Sequence, residues 1–162
     1  MNTYYNPVRT LQGYGVLEKL PALIMEAAPE AGRILLLVWN ESLLKNENVK
    51  TAIAVHKDKI VPLCFPCSNP DVEQLFSLYE KTKDLNIGLV IAIGGGSTLD
   101  VGKSLCCLYG QKPASVEELR AGIANKAYTQ PSCPWIGVPT TAGTGSEVTC
   151  WATVWDPRKN AK

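Results

Sequence analysis

Histidine is nearly absent from this chain: there is one, His56, in 162 residues. One imidazole is too little for a histidine-based metal site or a serine–histidine–aspartate triad. No apolar run approaches the roughly 20 residues that a helix needs to cross a bilayer. Net charge is equally scant, +1 from 16 Lys and Arg against 15 Asp and Glu. The basic footprint of a nucleic-acid binder or of a protein seated on an anionic membrane is therefore missing. The start, Met1-Asn2-Thr3-Tyr4-Tyr5-Asn6-Pro7, lacks the basic and apolar regions of a signal peptide. The expectation is a cytoplasmic protein with no nucleic-acid and no membrane partner. Internal repeats and low-complexity tracts are absent. The six cysteines do not form a framework. Cys64-x-x-Cys67 has ligand spacing but no second pair, Cys106 and Cys107 point apart on one helix, and Cys133 and Cys150 stand alone. Reduced thiols are expected. His56 lies beside Lys57, Asp58 and Lys59 and reads as a solvated helix end.

What is present centres on Leu89-Val90-Ile91-Ala92-Ile93-Gly94-Gly95-Gly96-Ser97-Thr98-Leu99-Asp100. Five apolar residues predict a strand buried on both faces. Three glycines end it, and Val101, Leu105 and Leu108 then recur at helical spacing. A strand, a glycine turn and a helix start make an anion site, because free N–H groups and the helix dipole favour negative charge there. The bare Gly94, Gly95 and Gly96 are expected to let a phosphate reach the backbone, and Ser97 to cap the helix or donate its hydroxyl. The expected ligand is the pyrophosphate of a nucleotide cofactor. A three-glycine dinucleotide fingerprint is incomplete, since Leu99 holds the third position. Gly102-Lys103-Ser104 match the end of a P-loop, but Lys103 falls well inside the predicted helix and reads as solvated there.

Along the chain, Arg9 to Tyr14 predicts a short strand, and Leu17 to Ala27 a helix with Pro21 in an early turn. Arg33 to Trp39 predicts a buried strand. Asn40 follows at its carboxyl end, where it either faces a ribose or caps the next helix. A helix around Val49 to His56 and a strand over Ile60 to Phe65 come next. Ser68-Asn69-Pro70-Asp71 reads as a helix start, with proline at the first helical position. Ser115-x-x-Glu118 is a capping box for a short exposed helix. Trp135 to Val138 predicts another strand, followed by Thr140-Thr141-Ala142-Gly143-Thr144-Gly145-Ser146-Glu147, whose hydroxyls suit a second wall of the same site. Ala152 to Trp155 predicts a last strand. The alternation gives an α/β fold with a mostly parallel sheet and helices on both faces.

These residues resemble the iron-containing, or group III metal-dependent, alcohol dehydrogenases. Gly94-Gly95-Gly96-Ser97-x-x-Asp100 with Lys103 is similar to that family's GGGSxxDxxK loop. Pro139 to Thr149 is similar to its PTTxGTGSEVT loop, and Ser68-Asn69-Pro70 to its PNP segment. The resemblance implies that residues 1–162 form a Rossmann-like domain binding NAD or NADP. Gly95, Gly96 and Ser97 would hold the pyrophosphate, with Asp100 nearby. Thr140, Thr141 and Thr144 would line the adenine and ribose side, and Thr149 and Trp151 the approach to the nicotinamide. Asn69 would lie near the cofactor, and Lys162 matches a lysine that reaches the ribose. Asn40 stands where many members have aspartate, which admits NADP. The family's iron or zinc is bound by one aspartate and three histidines in a second, helical domain, and this chain ends before it. Nucleotide binding without turnover is therefore expected of the chain alone. The intact enzyme would be a homo-oligomer passing hydride between nicotinamide and a small alcohol or aldehyde, with phosphonoacetaldehyde one candidate. The alternatives are a P-loop-like nucleoside-triphosphate binder, a relative of dehydroquinate synthase or glycerol-1-phosphate dehydrogenase, and a non-catalytic interaction module.

Overall fold

The sheet is built from four short apolar runs. A computed structural model describes residues 8–158. In it, β1 (Arg33–Val38), β2 (Ile60–Cys64), β3 (Ile87–Gly94) and β4 (Trp135–Pro139) pair in the order β2-β1-β3-β4. Every pairing is parallel. The helices are α1 (Leu20–Ala27), α2 (Ser42–Lys45), α3 (Glu47–Ile53), α4 (Val72–Thr82), α5 (Gly96–Gln111) and α6 (Val116–Ala124).

Alternation along the central strands sorts their side chains into two cores. Ile34, Leu36, Val38, Leu89, Ile91 and Ile93 face α1 and α3 through Leu20, Ile24, Val49 and Ala52. Leu35, Leu37, Val90 and Ala92 face α4, α5 and α6 through Leu75, Leu99, Leu105 and Leu119. Helices therefore cover both faces, and the fold is α/β and Rossmann-like. β1 to β2 runs over one face, while β2 to β3 and β3 to β4 run over the other. Connections leave β1 and β3, which are neighbours, in opposite directions. That reversal opens a crevice beyond the carboxyl ends of the strands.

Four local expectations are corrected. Arg9 to Tyr14 form no strand; among the described residues no segment supplies a ladder for them. Pro70 precedes the helix it was expected to begin. Asp71 is the N-cap of α4 and makes a reciprocal box with Gln74: the Gln74 N–H donates to Asp71 Oδ1 at 2.7 Å, and the Asp71 N–H to Gln74 Oε1 at 3.2 Å. Ala152 to Trp155 forms no strand, apart from one bridge between Asp71 and Trp155. His56 is buried, 6% exposed, in a 3-10 turn following α3, with Nε2 3.4 Å from the Pro21 carbonyl oxygen. Its charged neighbours take the solvent-facing positions of that turn. The box at Ser115 is present in modified form. Ser115 Oγ accepts from the Glu118 N–H, while the Glu118 carboxylate reaches the Ala114 N–H rather than that of Ser115.

Candidate functional site

At the end of β3 the chain turns directly into α5. Gly95 occupies the N-cap position and no side chain caps the helix. The first-turn N–H groups, starting with those of Gly96 and Ser97, have no acceptor within the helix. Gly96 and Ser97 line a cavity of about 310 Å³ together with Asn69, Pro70, Asp100, Thr144, Ser146, Thr149, Trp151, Thr153 and Trp155. Helix N–H groups, helix dipole and hydroxyls thus converge on one space, which suits an anionic ligand carrying hydroxyls.

The glycines also have a packing role that the sequence reading did not include. A Cβ on Gly94 would stand 2.4 Å from Thr98 Oγ1, one on Gly95 3.1 Å from Thr141 Oγ1, and one on Gly96 2.9 Å from Thr144 Cγ2. Threonines occupy the space left by the missing side chains: at Gly94 this lets Thr98 of α5 pack against the strand end, and at Gly95 and Gly96 it lets the second loop close onto the first. The Thr140 N–H continues the contact by donating to the Gly94 carbonyl at 2.9 Å. Ser97 is the second helical residue, not the cap. Its Oγ accepts from the Asn69 N–H at 3.1 Å, which leaves the hydroxyl proton free to donate. Asn69 reaches this position with φ of 51°, a left-handed conformation that asparagine tolerates.

Of the residues expected at the site, the structure brings Asn69, Gly96, Ser97, Asp100, Thr144, Thr149 and Trp151 around the cavity. Gly95, Thr140 and Thr141 stand behind it, holding the two loops together. Asn40 lies outside the lining, and its Oδ1 accepts from the Ser42 N–H at 2.8 Å, so it caps the turn after β1. Lys162 lies outside the described residues.

Sequence reasoning missed Pro70, Thr153 and Trp155, which also line the cavity; Ser146, in the hydroxyl-rich loop read as a second wall, lines it too. Thr149, Trp151, Thr153 and Trp155 are alternate residues of one strap, and all four border the cavity. The strap is fastened at its far end. The Trp155 N–H donates to the Pro70 carbonyl at 2.8 Å, and the Val72 N–H to the Trp155 carbonyl at 3.0 Å. Arg120 on α6 pairs with Glu73 on α4 and lies 3.2 Å from Asp156.

Lys103 was also missed. It is buried, not solvated: its side chain is 9% exposed, 3.1 Å from Asp100 Oδ1. Nζ donates to the carbonyls of Ser146 at 2.9 Å, Thr149 at 3.4 Å and Trp151, and lies 5.8 Å from the centre of the Trp135 ring. Asp100 Oδ1 also accepts from Ser146 Oγ at 2.6 Å, and Oδ2 from the Thr153 N–H at 3.1 Å. Ser104 Oγ donates back to the Asp100 carbonyl at 2.8 Å. Lys103 and Ser104 are thus committed to protein partners, which overturns the P-loop alternative. The available signal was the helix itself. α5 is buried nearly all round, from Thr98 through Leu108, and a lysine in such a helix needs partners.

Cys64 and Cys67 line a second cavity of about 390 Å³ with Glu73 and Gln74. Burial pushes the Cys64 thiol above its usual pKa, and the Glu41 carboxylate adds to the shift. All six cysteines are free. Among the described residues no group of three or more His, Cys, Asp and Glu is placed to hold a metal ion.

Fold and site together define a Rossmann-like α/β protein with an anion-ready turn roofed by a hydroxyl-rich loop. The chain matches the iron-containing alcohol dehydrogenase family over residues 7–162 and belongs to it. It is 31% identical to NADP-dependent alcohol dehydrogenase 3 of Entamoeba histolytica over 157 residues, which cover 94% of this chain and 39% of that protein. It is 31% identical to phosphonoacetaldehyde reductase of Streptomyces viridochromogenes over 93 residues, 56% of this chain and 24% of that one. It superposes on an iron-containing alcohol dehydrogenase from Thermotoga maritima with a TM-score of 0.81 and 26% identity, covering 99% of this chain and 44% of that structure. The chain spans less than half the length of each of these relatives.

Proposed function

We propose that residues 1–162 are the dinucleotide-binding domain of a metal-dependent alcohol dehydrogenase or aldehyde reductase. They would hold NAD or NADP for hydride exchange with a small alcohol or aldehyde. The observation that carries this is the uncapped start of α5, opening at Gly96 and Ser97 into a cavity walled by hydroxyls. The fit to a dinucleotide is chemical. The N–H groups and the Ser97 hydroxyl suit a pyrophosphate, the threonine hydroxyls suit ribose, and the exposed Trp151 ring offers a face to a planar heterocycle. When bound, the nicotinamide supplies or takes the hydride, and the described residues bind and orient it. The metal is a different matter. No ligand set for it stands among the described residues, so the proposal concerns the nucleotide end of the reaction, with nucleotide binding and no turnover expected of this chain. The names of the two curated relatives support a small alcohol or aldehyde as the substrate class.

Titration with NADH and with NADPH tests the reading. At a nucleotide concentration 100 times Kd the folded state gains about 2.7 kcal/mol. For a chain of this size that raises Tm by about 5–10 °C. Absence of binding by both nucleotides overturns the proposal.

Asn40 tests cofactor preference. Its neutral amide leaves room for the 2′-phosphate of NADP, whereas a carboxylate at the carboxyl end of β1 repels it. Asn40→Asp keeps an acceptor for the Ser42 N–H. It is expected to lower the NADPH-to-NADH affinity ratio about tenfold, equivalent to about 1.4 kcal/mol. An unchanged ratio removes Asn40 from the site.

A further inference from the structure

We infer that Lys103 is a positioning residue, a single ammonium that gathers the second wall of the cofactor cavity and sets it against the glycine turn. Between the end of β4 and the Trp155 bridge the chain enters no strand, so the carbonyls of this stretch have no ladder to join. Three of them, from Ser146, Thr149 and Trp151, turn inward to one Nζ. An ammonium offers three protons on a compact point charge, which suits three convergent carbonyls where a planar guanidinium does not. The charge is tolerated under 9% exposure because Asp100, one helical turn earlier, stands 3.1 Å away. Asp100 repeats the gesture with opposite polarity, accepting Ser146 Oγ and the Thr153 N–H. Donor and acceptor on one face of α5 thus hold both ends of the same segment. Ser146, Thr149, Trp151 and Thr153 all border the cavity that Gly96 and Ser97 open into. The helix that presents its N-terminus to the ligand therefore also fixes the distance to the opposite wall.

Only the affinity arm of the test rests on the dinucleotide reading. Lys103→Met keeps an unbranched apolar side chain of similar length and removes every side-chain N–H. The first readout is amide hydrogen exchange, resolved by segment. Residues 144–153 should lose protection while β1 and β3 keep theirs. The second is NADH and NADPH affinity, expected to fall about tenfold through misplacement of the wall. Lys103→Arg should recover only part of the protection, because its fork cannot serve three carbonyls at one point. Unchanged exchange over residues 144–153 overturns the inference, as does a loss of protection spread evenly over the fold. If Lys103→Met does not fold, Asp100→Asn carries the exchange test, with the same local signature expected. If the wild-type protein binds neither nucleotide, the function proposed above fails while the exchange arm still decides the role of Lys103.

Discussion

Gly94→Ala is expected to cost about 3 kcal/mol of folding free energy, the upper end of the range for overpacking a tight site, and to eliminate nucleotide binding. The added Cβ would lie 2.4 Å from Thr98 Oγ1, 2.6 Å from Thr98 Cβ and 2.9 Å from Thr98 Cγ2. Rotating the threonine does not relieve this, because its Cβ moves only with the helix backbone. Thr98 is 2% exposed and sits in the first turn of α5. The strain must therefore lift the helix start away from the end of β3, which is where the anion-binding N–H groups are arranged. Urea denaturation measures the first effect and NADH titration the second. Wild-type stability with wild-type affinity in the variant would show that the β3–α5 turn has slack that the contact distances deny.

Leu99→Ala is the second large effect. Leu99 is fully buried, belongs to the core between the sheet and α4 to α6, and stands one residue after Thr98 on the helix that opens the site. Its Cδ2 lies 3.6 Å from where a Cβ on Gly137 of β4 would stand, so it fills the angle between α5 and the edge strand. Truncating a buried leucine removes its transfer free energy and leaves a cavity, together about 2–5 kcal/mol. About 3 kcal/mol is expected here, since among the described residues β4 has a strand neighbour on one side only and can relax partly into the gap. Val55→Ala is the control: Val55 is 79% exposed, and its truncation should change stability by less than about 0.5 kcal/mol. Equal losses in the two variants would contradict the assignment of the core.

The central architecture could be read from the chain because β1 and β3 are apolar on both faces. An uninterrupted apolar run of strand length that ends in glycine fits a central parallel strand far better than a surface one. The two loops that border the cavity were legible for a related reason. Each follows a strand, the first bare at its glycines and the second rich in threonine and serine hydroxyls. Partnership was harder to read. Arg9 to Tyr14 and Ala152 to Trp155 have strand-like composition, but a strand exists only where another backbone completes it. The latter segment meets Pro70, Asp71 and Val72 through Trp155 and forms no ladder among the described residues. The same blindness hid Lys103, whose acceptors are carbonyls 43 or more positions later in the chain. His56 was misread because its neighbours are charged, although the turn places them outward and the imidazole inward. Asn40 offered two roles in the sequence, and its bond to the Ser42 N–H is the one the structure displays.

The bond from the Thr140 N–H to the Gly94 carbonyl is the last rung of the β3–β4 ladder, that of the register pair Gly94 with Pro139. The roots of the two loops that border the cavity are therefore separated by the interstrand spacing of about 4.8 Å, a property of peptide geometry. The gauge of the cleft at its base is thus ruled by main-chain chemistry. Side chains along the rim can drift while the gap at the base keeps its width.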